Sequence, residues 1–357
     1  MKFSLYRVIK RSFISYYLRS WREKSECNFI LIMATPGKES EKTKPKTPFY
    51  RDVDGFRIPG GFSEEAFRSA LAYKPRSDDL FIVTYPKCGT TWIQHIIGSI
   101  LREGKPFQTI LEFLLDTPFL EMTGAEAAKT MKRPGAIKMH LPFHMTPYSS
   151  NAKYIYIARN PKDCLVSFYH HTKGNPVYKF EDGNFDDFFE LFMKGEVDCG
   201  DYFDTLLSWY EHRNDPNVLF LTYEQLKEDA RTCILKIAEF MDPKYKEMLD
   251  KNEKILEDVI YHSSFAFMKK HLHKLLTEIA DIPKELIDNN PDIPPGLREL
   301  LQSSQIKSDG TKMDFVRKGI VGDWKNYFSP AQNARLQKKY EERTIGTNIP
   351  ELWKDAM

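Results

Sequence analysis

The stretch Leu80-Phe-Ile-Val-Thr-Tyr-Pro-Lys-Cys-Gly-Thr-Thr-Trp92 decides the fold. An apolar run of strand length, Leu80–Val83, enters a short turn, and a helical stretch is predicted from Thr91 to Arg102. Gly89 lets the backbone approach a ligand, and the N–H groups that start the helix favour an anion. Lys87 adds a positive charge. The stretch therefore predicts a P-loop-like phosphate-binding loop, although it lacks the Walker order G-x-x-x-x-G-K-[ST].

Three more apolar runs of strand length follow along the chain: Ile137–Met139, Tyr154–Ile157 and Val218–Leu221. Helical stretches are predicted after two of them, over Asp163–His171 and Glu224–Phe240. Strands that alternate with helices predict an α/β fold, with a single domain built on a central parallel β-sheet flanked by helices. Such sheets bind ligands at the carboxyl ends of their strands.

Two basic segments could add to the phosphate-binding loop. Arg159 ends the third strand and Ser167 lies in the helix after it, and Arg317-Lys-Gly-Ile-Val-Gly-Asp-Trp-Lys-Asn326 is a second Gly-containing basic loop. Arg binds phosphate through two parallel hydrogen bonds, and a Ser hydroxyl can complete the site. Taken singly, Arg159 and Ser167 are better explained as a salt-bridged strand end with a Ser cap, and the Arg317–Asn326 loop as a solvated turn.

The second strand ends in Lys138 and His140, which alternation places on the same face. A His at the carboxyl end of a strand can act as a general base, although an isolated His is more often structural. No cluster of His, Cys, Asp or Glu has metal-ligand spacing, so no metal is predicted.

Composition excludes several classes of protein. The 357 residues include 52 Lys or Arg and 50 Asp or Glu, and the resulting net charge of +2 argues against a general nucleic-acid binder. The five Cys contain no C-x-x-C pair, which argues against a zinc site or a disulfide framework and predicts a cytoplasmic location. No apolar run reaches the roughly 18–20 residues of a membrane span.

The first 32 residues have a character of their own, with seven Lys or Arg and two Glu. They are predicted to be either a basic amphipathic helix that acts as a presequence or membrane-surface segment, or an unstructured extension or a leader ahead of a second start at Met33. We expect residues 1–48 to be a disordered extension and linker, and residues 49–357 to form the domain. Residues 271–312 are charged and interrupted by Pro, which predicts a mobile excursion rather than a second core.

Taken together, these motifs resemble the cytosolic sulfotransferase family over roughly residues 56–345. Thr84–Trp92 is similar to its 5′-phosphosulfate loop, Arg159 to Ser167 to its 3′-phosphate motif, and Arg317–Lys325 to its C-terminal loop. The resemblance implies a single α/β domain. It also implies 3′-phosphoadenosine 5′-phosphosulfate (PAPS) as donor, adenosine 3′,5′-bisphosphate (PAP) as product, and a phenol, catecholamine, steroid or other small hydroxyl or amine compound as acceptor.

The resemblance also implies a role for each matching residue. His140 would be the general base, with Lys87, Lys138 and Ser167 as further catalytic groups. The implied donor site consists of Lys87, Cys88, Gly89, Thr90, Thr91, Trp92, Arg159, Ser167, Tyr223, Ser263, Phe265, Arg317, Lys318 and Gly319. The acceptor pocket is predicted to contain Phe119, Met122, Lys138, His140, Phe143 and His171.

The chain departs from the family pattern at several positions. Cys88 stands where Ser is common, and its place beside Lys87 at a helix start predicts a thiolate. His171 replaces a pocket Phe found in many members. The family dimer motif K-x-x-x-T-V-x-x-x-E is incomplete, because Lys325 is followed by Ser329, Pro330 and Ala334. The missing acid argues against that dimer and leaves the oligomeric state open.

Three alternatives are weaker. A P-loop nucleotide kinase needs G-x-x-x-x-G-K and an acid that holds Mg²⁺, and neither is found. A non-catalytic nucleotide-binding protein would not need Lys87, Lys138 and His140, all of which are present. A Golgi-type membrane sulfotransferase needs a membrane span, and no apolar run of that length is present.

Overall fold

The structure is a computed structural model that describes residues 46–291, 293–306 and 316–357. All of these residues belong to one compact unit. Residues 1–45 lie outside the described part of the chain. The two interpretations of the basic N-terminal segment, and the domain boundary at residue 49, therefore stay predictions.

Six strands and sixteen helices are named here, in chain order, within the described residues. The strands are β1 (Tyr50–Val53), β2 (Phe56–Pro59), β3 (Leu80–Thr84), β4 (Ile137–Met139), β5 (Lys153–Ala158) and β6 (Val218–Thr222). The helices of the first half are α1 (Glu64–Leu71), α2 (Thr90–Leu101), α3 (Ile110–Asp116), α4 (Leu120–Thr130), α5 (Pro161–Gly174), α6 (Phe185–Lys194) and α7 (Tyr202–Tyr210). Those of the second half are α8 (Tyr223–Glu228), α9 (Ala230–Met241), α10 (Pro243–Lys251), α11 (Glu253–His262), α12 (Phe265–Thr277), α13 (Lys284–Asn289), α14 (Pro295–Ile306), α15 (Pro330–Thr344) and α16 (Ile349–Leu352).

The central sheet is parallel and has the strand order β4-β3-β5-β6. This confirms the predicted fold class, and each predicted strand lies within one residue of its observed bounds. β1 and β2 form a separate antiparallel pair. The order places β3 and its loop at the centre of the sheet, between the strands that end in His140 and Arg159.

Side-chain alternation along the strands divides the core into two layers. Phe81 and Tyr156 belong to a cluster on one face, whereas Ile82 and Ile155 belong to a cluster on the other face, which α2, α9 and α11 cover. All four side chains are at most 1% exposed. Burying an apolar side chain of this size contributes about 1.5–3 kcal/mol, so both layers hold the strand ends in place.

One predicted helix is two helices in the structure. The helical stretch predicted over Glu224–Phe240 is broken at Asp229, which separates α8 from α9. The Asp229 side chain accepts a hydrogen bond of 2.9 Å from the Thr232 N–H, the usual arrangement of a helix N-cap. Apolar periodicity continues through the break, and for that reason the pattern alone did not reveal it.

The segment predicted to be a mobile excursion is helical where it is described. We call residues 265–306, apart from 292, the lid segment; it contains α12, α13 and α14. Ile287, Ile293, Leu297 and Leu301 form a buried cluster within it. A Cβ on Gly296 would lie 2.5 Å from the Thr123 carbonyl oxygen, so the glycine permits α14 to approach α4 closely. The prediction of an excursion without a core of its own is wrong for these residues.

Candidate active site

A cavity of about 430 Å³ opens at the carboxyl ends of the central strands. Lys87, His140, Arg159 and Tyr223 follow β3, β4, β5 and β6, and all four line it. The predicted site residues that line the cavity are Lys87, Gly89, Thr90, Thr91, Trp92, Phe119, Met122, Lys138, His140, Arg159, Ser167, His171, Tyr223, Phe265, Arg317, Lys318 and Gly319. Seventeen positions that are far apart in sequence thus meet at one edge of the sheet.

The loop after β3 has the geometry of an anion site. Gly89 has a φ of +114°, which a side chain would strain, and it precedes the first turn of α2, which contains no acidic residue. The unpaired N–H groups and the dipole of that turn favour a negative group in the cavity. Burial, with Lys138 and Arg159 nearby, lowers the pKa of Lys87 to about 8. A bound anion would relieve this repulsion.

His140 is held as a neutral imidazole. It is 7% exposed, and its Nδ1 lies 2.7 Å from the Thr84 carbonyl oxygen. A carbonyl oxygen only accepts, so Nδ1 carries the proton and Nε2 keeps its lone pair. Burial, reinforced by Lys138, lowers the pKa of His140 well below its ordinary value. At neutral pH the ring is therefore a base with Nε2 ready to accept a proton.

A buried acid and a lysine flank His140. The backbone N–H of His140 donates to Glu121 Oε1, and burial raises the pKa of Glu121 to about 7. Lys138 Nζ lies 4.0 Å from the centre of the Phe119 ring, whose edge-to-face partner is the His140 ring at 5.0 Å. Burial lowers the pKa of Lys138 to about 8. This group places an aromatic wall and a cation beside the base.

Arg159 lies on the other side of the loop. It is 6% exposed, donates through Nη1 to the Lys87 carbonyl oxygen at 3.1 Å, and stands 4.3 Å over the Tyr223 ring. Its Nε is buried and has no hydrogen-bond partner among the described residues. Trp92 packs edge-to-face on Tyr223 with a centroid distance of 5.3 Å. A buried guanidinium beside two aromatic rings suits a phosphate attached to a flat base.

Two aspartates, Asp323 and Asp163, hold the C-terminal basic loop that begins at Arg317 in place. Asp323 Oδ2 accepts from Arg317 at 2.6 Å and Oδ1 accepts from Lys318 at 2.9 Å. Burial opposes ionisation of Asp323, but hydrogen bonds from Lys318, Arg317 and Asn326 outweigh it and hold its pKa at about 2. Asp163, at the start of α5, accepts from the Gly322 and Trp324 N–H groups at 2.6 and 3.0 Å. These contacts fasten the loop beside Arg159.

Three predicted site residues do not line the cavity. Phe143 stacks on His212 with a centroid distance of 3.4 Å and packs on Trp209, because the turn after Pro142 directs it to the neighbouring helix α7. The Ser263 hydroxyl donates to the Val259 carbonyl oxygen within α11. The third residue is Cys88.

Cys88 faces the core. Its Sγ lies 3.7 Å from the Sγ of Cys164, and its backbone N–H donates to the Tyr85 carbonyl oxygen at 3.2 Å. Burial raises the pKa of the Cys88 thiol well above its ordinary value, and Cys164 raises it further. The predicted thiolate is therefore wrong, since desolvation outweighs the charge of Lys87 and the helix start.

Three acids around the cavity were not predicted as site residues. Asp323 lies in the basic loop Arg317–Asn326, and Glu121 lies between the predicted pocket residues Phe119 and Met122. Asp198 also lines the cavity and is 3% exposed, and no motif marks it.

In the described ranges no three His, Cys, Asp or Glu residues are arranged to hold a metal ion. No helix of the described chain has the length and apolar character to cross a membrane.

Comparison with known proteins agrees with this geometry. The family model described as "Sulfotransferase domain" matches residues 77–289 and 297–348. Rat Sulfotransferase 1C2 is 35% identical over 78% of this chain and 86% of its own length. Human Sulfotransferase 1E1 is 35% identical over 76% of this chain and 85% of its own.

Solved structures agree as well. The crystal structure of mouse sulfotransferase SULT7A1 complexed with PAP is 31% identical, with a TM-score of 0.64, and the match covers 87% of this chain and 100% of that one. Retinol dehydratase in complex with androsterone and inactive cofactor PAP, at 22% identity and a TM-score of 0.62, shares the fold over 85% of this chain and 91% of its own. The chain with this cavity belongs to the sulfotransferase family.

Proposed function

We propose that this enzyme transfers a sulfuryl group from PAPS to the hydroxyl of a small acceptor, with His140 as the general base. Membership of the sulfotransferase family and the PAP-bound relative support the donor. The one observation that carries the assignment of the base is the 2.7 Å contact of His140 Nδ1 with the Thr84 carbonyl oxygen, which leaves Nε2 as the proton acceptor.

The chemistry divides between two sides of the cavity. His140 Nε2 takes the proton of the acceptor hydroxyl while that oxygen bonds to sulfur and the bond from sulfur to the bridging phosphate oxygen breaks. Negative charge develops on the bridging oxygen, and Lys87 is the cation placed to neutralise it. Lys138, beside Phe119, stabilises the equatorial sulfuryl oxygens. Ser167 also lines the cavity and is assigned to hold Lys87 away from the donor until an acceptor binds.

The residues of the donor side fit a nucleotide with a 3′-phosphate. The buried Arg159 Nε has no hydrogen-bond partner among the described residues, and a phosphate oxygen would satisfy it. Arg317 and Lys318 add two cations, and Asp323 orients both. Trp92, Tyr223 and Phe265 line the same side and supply the aromatic surface for the adenine.

The family resemblance says less about which acceptor the other side of the cavity binds. Phe119 and Met122 line it, and they favour a flat apolar body such as a phenol or a steroid. His171 replaces the usual Phe there, and burial together with Lys87 lowers its pKa well below the ordinary value. It therefore adds a neutral polar ring to that wall at neutral pH.

The function is tested by incubating the protein with radiolabelled PAPS and a panel of phenols, steroids and aliphatic alcohols. We expect label to move to at least one hydroxyl compound, with PAP released in equal amount. Tight binding of PAP without transfer to any acceptor would favour a non-catalytic nucleotide-binding protein.

We further propose a cytoplasmic location, supported by the absence of disulfides among the four described cysteines.

A further inference from the structure

One buried carboxyl on the acceptor side has half of its hydrogen-bonding capacity unused. Asp198 lines the cavity and is 3% exposed. Its Oδ2 accepts a hydrogen bond of 2.8 Å from the Tyr178 hydroxyl. Its Oδ1 is buried and has no hydrogen-bond partner among the described residues. Buried polar atoms in native proteins are nearly always paired, so the unpaired oxygen of a residue that lines the cavity suggests a partner outside the chain.

The position of Asp198 relates it to the reaction centre through two neighbouring rings. The Tyr178 ring lies 5.8 Å from the His171 ring, and His171 is close enough to Lys87, Lys138 and His140 for each to lower its pKa. Tyr178 and His171 both line the cavity. Asp198 therefore lies on the acceptor side, and the rings of Tyr178 and His171 stand between it and His140.

The burial and the charge of Asp198 favour a hydrogen-bond donor as its partner. Apolar side chains of Phe56, Ile58 and Val177 line the same cavity. Burial raises the pKa of Asp198 to about 7, so both of its charge states exist near neutral pH. An O–H or N–H group that reaches Oδ1 would favour the ionised form, whereas a purely apolar acceptor would leave this oxygen unsatisfied.

We propose that Asp198 Oδ1 accepts a hydrogen bond from a second donor group, a hydroxyl or an ammonium, on an acceptor whose first hydroxyl lies at His140. Asp198 is thus a specificity-determining residue that selects bifunctional acceptors over apolar ones. This inference rests on the proposed function, since it concerns the acceptor of the same reaction.

The test uses phenols that carry a para arm of one to four carbons ending in a methyl, hydroxyl or ammonium group. For the arm length that suits the cavity, kcat/KM of the parent enzyme should favour a polar-ended phenol over its methyl-ended analogue by about 10- to 100-fold. Asp198→Leu should abolish this preference, with a fall in kcat/KM for the polar-ended phenol that exceeds any change for the methyl-ended phenol. Tyr178→Phe, which removes only the partner of Oδ2, should keep the preference.

Asp198→Asn separates the two donor groups. It keeps an amide oxygen that accepts from a hydroxyl but loses the charge, so the preference for ammonium-ended phenols should fall while the preference for hydroxyl-ended phenols is retained; the polar arm that the parent enzyme prefers assigns the acceptor as cationic or neutral. If Asp198→Leu lowers kcat/KM for all three arm types by the same factor, or changes none of them, the inference is overturned.

Calorimetric binding of the same phenols to the PAP-loaded protein keeps the inference apart from the proposed function. A binding preference for polar arms that disappears in Asp198→Leu supports the subsite even if no phenol is sulfated, a result that would count against the proposed function alone. Transfer to the methyl-ended phenol with no polar preference, in binding or in turnover, would overturn the subsite and leave the proposed function intact.

Discussion

The donor side and the acceptor side of the cavity are built in different ways. On the donor side, Lys87, Arg159 and Arg317 are held by hydrogen bonds and ion pairs to loops and to Asp323. On the acceptor side, Glu121 Oε2 and Asp198 Oδ1 lack hydrogen-bond partners within the described residues, and apolar residues of the lid segment beyond Phe265, such as Met268 and Leu272, line the cavity. Arg159 Nε on the donor side also lacks a partner within the described residues, so each side leaves a polar atom for its ligand, but only the donor side holds its cations in place by ion pairs before the ligand binds.

The largest expected effect concerns the 3′-phosphate. The 3′-phosphate can accept charge-assisted hydrogen bonds from Arg159, Arg317 and Lys318, each of which contributes about 1.5–3 kcal/mol. The affinity for PAP should therefore exceed the affinity for AMP by a factor of about a thousand or more. Calorimetry with the two nucleotides measures the ratio. Arg159→Lys, which keeps the charge but loses the paired geometry, should reduce the ratio. Equal affinities would remove these residues from the donor site.

The next effect tests whether the lid segment has a core that is independent of the donor side. Ile287 is fully buried in the lid cluster, so Ile287→Ala should destabilise the segment by about 2–5 kcal/mol. Hydrogen exchange of α13 and α14, which contribute to the cluster, should accelerate and KM for the acceptor should rise, while PAP affinity changes little because Phe265 lies in α12, outside the cluster. Leu286→Ala, at an exposed neighbouring position, is the matched control. Unchanged exchange in Ile287→Ala would contradict a cooperative lid core.

A smaller effect separates the acceptor wall from the adjoining core. Phe143 is half-buried against Trp209 and His212, so Phe143→Ala should lower the free energy of unfolding by about 1–3 kcal/mol and leave the order of preferred acceptors unchanged. Met122→Ala, in the cavity wall, should change acceptor KM values with less loss of stability. Thermal unfolding and an acceptor panel measure both. A changed acceptor order in Phe143→Ala would return Phe143 to the acceptor pocket.

The smallest effect is a pH dependence of donor capture. The pKa of Lys87 is lowered to about 8, and the protonated amine is the form that attracts an anion, so kcat/KM for the donor should fall above pH 8 by up to about tenfold per pH unit. Once the donor is bound, its negative charge raises the pKa again, and kcat should fall only at higher pH. Lys87→Arg stays charged and should remove the fall. The same fall in that variant would assign it to another group, such as Lys138.

The donor and acceptor sides also differ in how much of each could be predicted from the sequence. The four strands and the turn from β3 into α2 follow from patterns that are local in the chain, and they are confirmed. The prediction that Phe143 lines the acceptor pocket is wrong, because the direction of a side chain after Pro142 depends on the packing of that turn against α7. Asp198 and the lid cluster depend on packing between distant segments, for example the lid cluster against Leu111 and Leu114 of α3, and no local pattern encodes such packing.

His140→Ala tests most directly the claim that the reaction takes place between a preorganised donor side and a neutral base. A positioned general base contributes about 10²–10⁴-fold, so turnover on an unactivated phenol or alkyl alcohol should fall by that factor while calorimetric PAP affinity stays near the parental value. The loss should be smaller for an acidic phenol that ionises unaided. A folded His140→Ala variant with parental turnover on the alkyl alcohol would contradict the account.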